Sequence, residues 1–520
     1  MHYLNTQEPK VLYQEAKNST IFVDKSLLIQ TVSKNIHTST KYICITRPRR
    51  FGKTMNASML AAYYTKGLDS QELFQDLKIS KDENYSKHLN QHNVIYIDFS
   101  RLPDPCNSYE DYIMYIKQYL FDDLEEAYGI QRKDGIPISD ALTATKDSFM
   151  FILDEWDSIF YKNILTEADK IAYLEFIKSL LKDRAYVELA YMTGVLPIAK
   201  YGSASTINMF REFHFLKNRT YEEFFGFTET EVLQLCEQHQ TVSYEELKHW
   251  YDGYRMKSGQ SLFNPRSVSY ALMDGECQNY WTETGPMNEV ADCIEHNVDE
   301  VREDIVKMVT GIPVPVKLNG YSAAEQRLNT RNEILSAMVV YGFLSYYDGC
   351  LQIPNHELME KYQSVLSRES MGEVKAIVDQ SSMMLKATLD KNEEQVAALL
   401  EEAHDRELPF LQYNDENALS CVITLCYLAA RDDYQMEREA KTGKGYCDYL
   451  FTPRKADQPA IILELKVEGS AQEAIEQIKE KNYMERVKHC SDILLVGICY
   501  DKQSKHHTCQ IETVAGSSSN

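Results

Sequence analysis

Up to about residue 200, short apolar runs alternate with longer stretches of mixed polar and apolar character. The β-type runs Tyr42–Thr46, Val94–Phe99, Phe149–Asp154 and Val187–Thr193 predict strands. Segments such as Tyr109–Tyr128 and Glu167–Lys182 predict helices between them. That alternation is the pattern of a parallel sheet with crossover helices. From Tyr221 to Leu400 the chain reads as mostly helical. Within it, Asn332–Phe343, Leu344–Pro354 and His356–Leu366 read as helix, hairpin, helix. Both a winged-helix-like unit and a plain helical spacer with a hairpin fit that order. A third unit starts near Tyr413. It runs helix, strand Tyr446–Thr452, polar turn Pro453–Pro459, strand Ala460–Val467, helix Ser470–Lys488, strand Asp492–Cys499. The expected domains are therefore 1–220, 221–400 and 401–514, followed by a disordered tail at 515–520.

The first strand runs into Arg47-Pro48-Arg49-Arg50-Phe51-Gly52-Lys53-Thr54 and then a helical pattern. Gly52-Lys53-Thr54 fit the end of a phosphate-binding loop, GxxxxGK[ST], while Arg47 stands at its first glycine. In such a loop Lys53 reaches the β/γ-phosphates and the Thr54 hydroxyl reaches Mg²⁺. Backbone amides of Arg49, Arg50 and Phe51 face the phosphate oxygens. Alone, this could be a basic turn capping a helix. About a hundred residues on, however, Phe149–Asp154 is an apolar strand ending in Asp154-Glu155. Asp154 can order a Mg²⁺ shell and Glu155 can polarise an attacking water. The pair of motifs predicts ATP–Mg²⁺ binding, with hydrolysis a further step. Asp157 either joins this site or caps the next helix; Thr193-Gly194 reads as a strand-end turn, with Thr193 as a sensor of the γ-phosphate the alternative.

A second chemistry lies near the other end. Alternating side chains put Glu464 and Lys466 on one strand face, and the neighbouring strand can bring Asp448 onto it. Two carboxylates at close range repel and invite a divalent cation with oxygen ligands, Mg²⁺ or Mn²⁺. A lysine beside them can orient or activate a water, which is the equipment for metal-assisted phosphodiester hydrolysis. A surface hairpin carrying a Glu-x-Lys charge pair is the plainer alternative.

Composition changes this picture little. With 44% hydrophobic and 26% charged residues over 520 positions, the chain is an ordinary globular one of several domains. No apolar run is long enough for a membrane span, and no signal peptide is read at the N-terminus. Twelve cysteines without CxxC pairs fit a reducing, cytoplasmic setting, with Cys421 and Cys426 as core thiols. The net charge of −23 disfavours indiscriminate nucleic-acid binding. It is uneven, though: Lys41–Asn56 has no acid, and Glu393–Glu402 reads as a solvated acidic helix face.

Taken together, these residues resemble a predicted AAA-type ATPase domain joined to a C-terminal PD-(D/E)XK nuclease domain. The resemblance is carried by Phe22-Val23-Asp24-Lys25-Ser26, the loop Arg47–Thr54, Phe224-Phe225-Gly226-Phe227-Thr228, Trp250-Tyr251-Asp252-Gly253-Tyr254-Arg255 and Asn264-Pro265. It implies an α/β chain: a P-loop NTPase-like parallel sheet, a helical middle region and a restriction-endonuclease-like α/β domain. It makes Arg47 the family's own form of the loop. It carries the nuclease pattern onto Asp448, Glu464 and Lys466, adds Glu416 as a helix-borne acid, and places Gln477 and Tyr483 beside the site. Gly443-Lys444-Gly445-Tyr446 departs from the relatives' Gly-x-Gly-Arg. The expected function is nucleotide-controlled, metal-dependent cleavage of nucleic acid, DNA rather than RNA, by an ATPase. AAA relatives often form rings, so a homo-oligomer is expected, with Arg211 or Arg255 as a candidate finger. The alternatives are a nucleotide-switched interaction protein with an inactive nuclease fold, and an ATPase whose C-terminal domain only holds nucleic acid.

Overall fold

In the computed structural model the N-terminal runs pair into one sheet. Its strands are Tyr42–Thr46 (β1), Asn93–Asp98 (β2), Phe149–Asp154 (β3), Val187–Gly194 (β4) and Arg211–His214 (β5). All neighbours are parallel, in the order β2-β3-β4-β1-β5. Every residue of β1, β3 and β4 is buried. That is the condition of a parallel sheet covered on both faces, and it explains why these strands read as unbroken apolar runs. The edge strand β5 lacks that signature, with only Phe213 of its four residues buried, and was not expected from the sequence. The model describes the chain apart from residues 133–134, 163–164, 199–206, 215–218, 282–293, 317, 319–329, 407–415, 456, 502 and 517–520.

The chain divides into two units, Met1–Val290 with Pro315–Leu358, and Ala291–Val314 with Met359–Asn520. The first holds the parallel sheet and a group of helices beyond it. Two of these, Glu229–His239 and Tyr244–Tyr251, are opened by reciprocal capping boxes, Thr228 with Glu231 and Ser243 with Glu246. A third, Pro265–Asp274, starts where the Asn264 side chain accepts the amides of Arg266 and Ser267. The expected helix, hairpin, helix is present as Arg331–Tyr341, Ser345–Tyr347 with Cys350–Gln352, and His356–Leu366. The motif around Trp250 is structural in its contacts. Gly253 has φ +111°, and a Cβ there would stand 1.8 Å from the Pro354 carbonyl oxygen. Tyr254 donates to the Gly342 carbonyl at 3.0 Å.

The second unit holds a mixed five-stranded sheet: Tyr434–Thr442 (β6), Gly445–Pro453 (β7), Ala460–Val467 (β8), Asp492–Tyr500 (β9) and His507–Ala515 (β10). Only the β8–β9 pair is parallel, and the helix Ala471–Glu480 is its crossover. The β7 strand is longer than Tyr446–Thr452, and β10 was not expected. The helix Glu393–Asp405 is not simply solvated: Glu393 accepts the Ile511 amide and Glu401 the His507 amide, both on β10. The opening helix spans Glu416–Cys426. Part of the expected tail, 517–520, and the Glu416 side chain lie outside the described residues. No helix among the described residues is long and apolar enough to cross a membrane.

Candidate functional site

The loop Arg47–Thr54 leaves the end of β1 and turns through two left-handed residues, Arg50 at φ +70° and Gly52 at φ +84°. Gly52 then starts the helix Lys53–Tyr64. Left-handed backbone suits glycine, and at Arg50 it is unusual enough to mark a constrained position. Arg47, standing where a glycine was expected, is buried. Its guanidinium donates to the Thr46 and Phe213 carbonyls at 2.8 and 2.7 Å, joining β1 to β5, and lies against the Phe225 ring. Burial lowers its pKa to about 10. The Phe224–Thr228 segment docks on the loop: Gly226 N–H donates to the Phe51 carbonyl, and Asn56 donates to the Phe224 carbonyl.

Because β4 lies between β1 and β3, the tips of all three meet. Lys53 donates to the Pro48 carbonyl at 3.1 Å and stands 3.8 Å from Glu155. Asp154 is fully buried and accepts from the Thr193 hydroxyl. Burial and the Glu155 charge raise its pKa to about 7, against which the Thr193 and Thr54 hydroxyls act. Its Oδ2 is buried without a hydrogen-bond partner. An orphaned carboxylate oxygen beside the Thr54 hydroxyl suits an Mg²⁺ shell. Glu155 has φ +51°, a strained conformation held at the strand end. Asp157 caps no helix; it accepts the amides of Val195 and Leu196 at 3.1 and 2.7 Å.

These groups open onto a cavity of about 690 Å³. Lys53, Thr54 and Glu155 line one part; Phe22, Val23, Phe227 and Met273 supply an apolar part. Arg49, Arg50 and Arg266 also line it, and the charges of Arg266 and Arg49 lower the pKa of Arg50 beyond what burial does. Arg211 and Arg255, the arginines singled out from the sequence, do not line it. Arg211 lies over Phe213, and Arg255 donates to the Gly259 carbonyl. Arg266 was missed, although it directly follows Asn264-Pro265. Lys25 is committed elsewhere, with both Glu231 carboxylate oxygens at 2.7 Å.

In the second unit, Tyr449 pairs with Leu463, so the antiparallel ladder sets Asp448 across from Glu464. Glu464 is 3% exposed. Its Oε2 accepts the Asp448 amide at 3.3 Å, and Asp448 accepts the Leu465 amide at 2.6 Å. Gln477, on the crossover helix, donates to Glu464 and accepts from Lys466. Tyr483 is buried and hydrogen-bonds Gln477. Burial, then the Asp448 charge, push the Glu464 pKa up to about 8, with Lys466 and Gln477 acting against them. Two carboxylates that resist being charged together are a donor set a divalent cation fits, since the cation removes the repulsion. Tyr446 is 62% exposed, and Lys444 is exposed with its amide tied to the Lys481 carbonyl.

Residues 13–203 match the family of predicted AAA-ATPases. Residues 414–509 match the PD-(D/E)XK nuclease superfamily. The chain thus carries an ATPase-like domain and a nuclease-superfamily domain. An uncharacterised protein from the vnfD 5′ region of Azotobacter chroococcum mcd 1 is 26% identical over 277 residues, 51% of this chain. The match spans 50% of that relative's own length. Among solved structures, the ORC2 protein of Aeropyrum pernix is similar at 11% identity and TM-score 0.33, covering 69% of this chain and 92% of that one. A Walker-type ATPase of Pyrococcus abyssi is similar at 10% identity and TM-score 0.35, covering 65% and 95%.

Proposed function

We propose that the chain is an ATP-binding and ATP-hydrolysing protein whose C-terminal domain cleaves nucleic acid, DNA in preference to RNA, under nucleotide control. The observation that carries the nuclease is the closed set Asp448, Glu464, Lys466 and Gln477, with the Glu464 proton affinity raised. Asp448 and Glu464 would hold Mg²⁺ or Mn²⁺, which when bound polarises a phosphoryl oxygen and acidifies water. Lys466, held by Gln477, orients or activates the attacking water. Glu416 is assigned to the same site as a further acid. In the nucleotide cavity, Lys53 and the amides of Arg49 to Gly52 hold the phosphates. Thr54 and Asp154 would hold Mg²⁺, and Glu155 orients the water that attacks the terminal phosphate. The working division is ATPase 1–220, coupling region 221–400 and nuclease 401–514, in a cytoplasmic homo-oligomer.

A cleavage assay on DNA and RNA, single- and double-stranded, with Mg²⁺ or Mn²⁺ and with or without ATP, tests this. Wild type should cleave, Lys466→Ala should not, and Lys53→Ala should lose the response to ATP. ATP binding without cleavage of any substrate would instead support a nucleotide-switched interaction protein with an inactive nuclease fold.

A further inference from the structure

Glu357 is an acid that neither proposed reaction uses, and it is completely buried. An unsupported carboxylate at that depth is costly, so its partners show what it is for. Its Oε1 accepts the Tyr280 amide at 2.7 Å and the Trp281 amide at 2.8 Å. The Ser267 hydroxyl lies 3.0 and 2.9 Å from its two oxygens. Its main-chain carbonyl accepts from the Asn279 side chain at 3.0 Å. Three consecutive residues, Asn279, Tyr280 and Trp281, are thereby fixed to one acid. Tyr251, from the Trp250–Arg255 motif, fixes the residue before them, donating to the Gln278 carbonyl and accepting its amide.

The other side of this segment faces the phosphate loop. Arg50 donates to the Tyr280 carbonyl at 3.2 Å, and its guanidinium lies 5.5 Å from the centre of the Trp281 ring. Arg50 needs such a hold, because Arg49 and Arg266 line the same cavity and their charges oppose its own. Without a restraint, repulsion would turn Arg50 away from the cavity. We propose that Glu357 is a positioning residue for nucleotide binding: through Tyr280 and Trp281 it holds Arg50 at the cavity, where the guanidinium meets the polyphosphate. The proposal rests on the ATP-binding reading. It also gives a task to Tyr251 and to Ser267, on the helix that Asn264 caps.

A double-mutant cycle on ATP affinity, read by titration calorimetry on the full chain, tests this. It uses wild type, Glu357→Met, Arg50→Ala and the double variant. Met keeps the side-chain length but accepts neither amide. Glu357→Met should weaken ATP binding by about tenfold in the wild-type background and by less than about twofold when Arg50 is already Ala. Adenosine affinity, which no phosphate contact supports, should not change. An equal loss in both backgrounds, or an equal loss for adenosine, would overturn the proposal as a general packing defect. Ser267→Ala is the milder variant should Glu357→Met fail to fold. It should show the same non-additivity at about threefold, and additivity there would equally overturn the proposal. Wild type that fails to bind ATP would overturn the nucleotide reading itself, a result distinct from additivity among binding-competent variants.

Discussion

The two acid sites of this chain are built alike and are opposite in the charge that surrounds them. Each places a buried carboxylate on a strand and raises its pKa, Asp154 to about 7 and Glu464 to about 8. Asp154 feels the carboxylates of Glu155 and Asp98, but beyond Glu155 the cavity is lined by cations, Lys53, Arg49, Arg50 and Arg266. Around Glu464 the acting charges are a second carboxylate and one lysine that answers both. An excess of positive charge around a wide cavity suits a large anion. Two carboxylates to one lysine suit a small cation. The sign of uncompensated charge, more than the presence of an acid, separates the two.

Mutation of the two lysines separates the sites most strongly. Lys466→Ala should lower cleavage at least about a hundredfold while leaving ATP affinity unchanged, as read by paired cleavage and calorimetry. Cleavage that survives would mean that the acid pair is a structural hairpin. Lys53→Ala should do the reverse, weakening ATP by more than about tenfold while leaving divalent binding at Asp448 and Glu464 intact.

Acidity sharpens the comparison further. Glu464 must lose its proton to bind a cation, so Mn²⁺ affinity at the second site should rise by up to about tenfold per pH unit until pH passes about 8. Asp448→Asn removes the like charge and should move that rise to lower pH, at the cost of a ligand. Titration with Mn²⁺ by electron paramagnetic resonance reads both effects.

A smaller effect concerns stability. Burial, then the Glu155 charge, raise the Asp157 pKa to about 6, so the folded chain keeps a proton that the unfolded chain loses near pH 4. The folded state binds more protons across that window, so stability falls as pH rises from about 4 to 6. Asp157→Asn should flatten the fall by about 1–3 kcal/mol, seen in urea titrations across pH. An unchanged slope would mean that the proton sits elsewhere.

Much of this was legible in the sequence because it follows short-range rules. Parallel strands buried on both faces must be continuously apolar, so β1, β3 and β4 were visible, whereas the short edge strand β5, with one buried residue, and the terminal β10 were not. Asp448, Glu464 and Lys466 could be set on one face from strand alternation alone, and Gln477 came with the family likeness. Arg266 and Glu357 were not visible, since their meaning depends on contacts more than 75 residues away in sequence, such as Tyr280 to Glu357. The arginines that looked free in the sequence, Arg211 and Arg255, turn out to be held by local partners. Asp157 could be read as a site residue or a helix cap, because a sequence shows which amides are near along the chain, not those of Val195 and Leu196 beyond the end of the neighbouring strand.

Arg47 fastens the start of the loop to β5 and to the Phe225 ring. Further along, Arg50 is held by the Tyr280 carbonyl, and the Phe51 carbonyl is held by the Gly226 N–H. Ties at both ends mean that much of the ordering cost of the loop is met in folding, which leaves less for a ligand to supply.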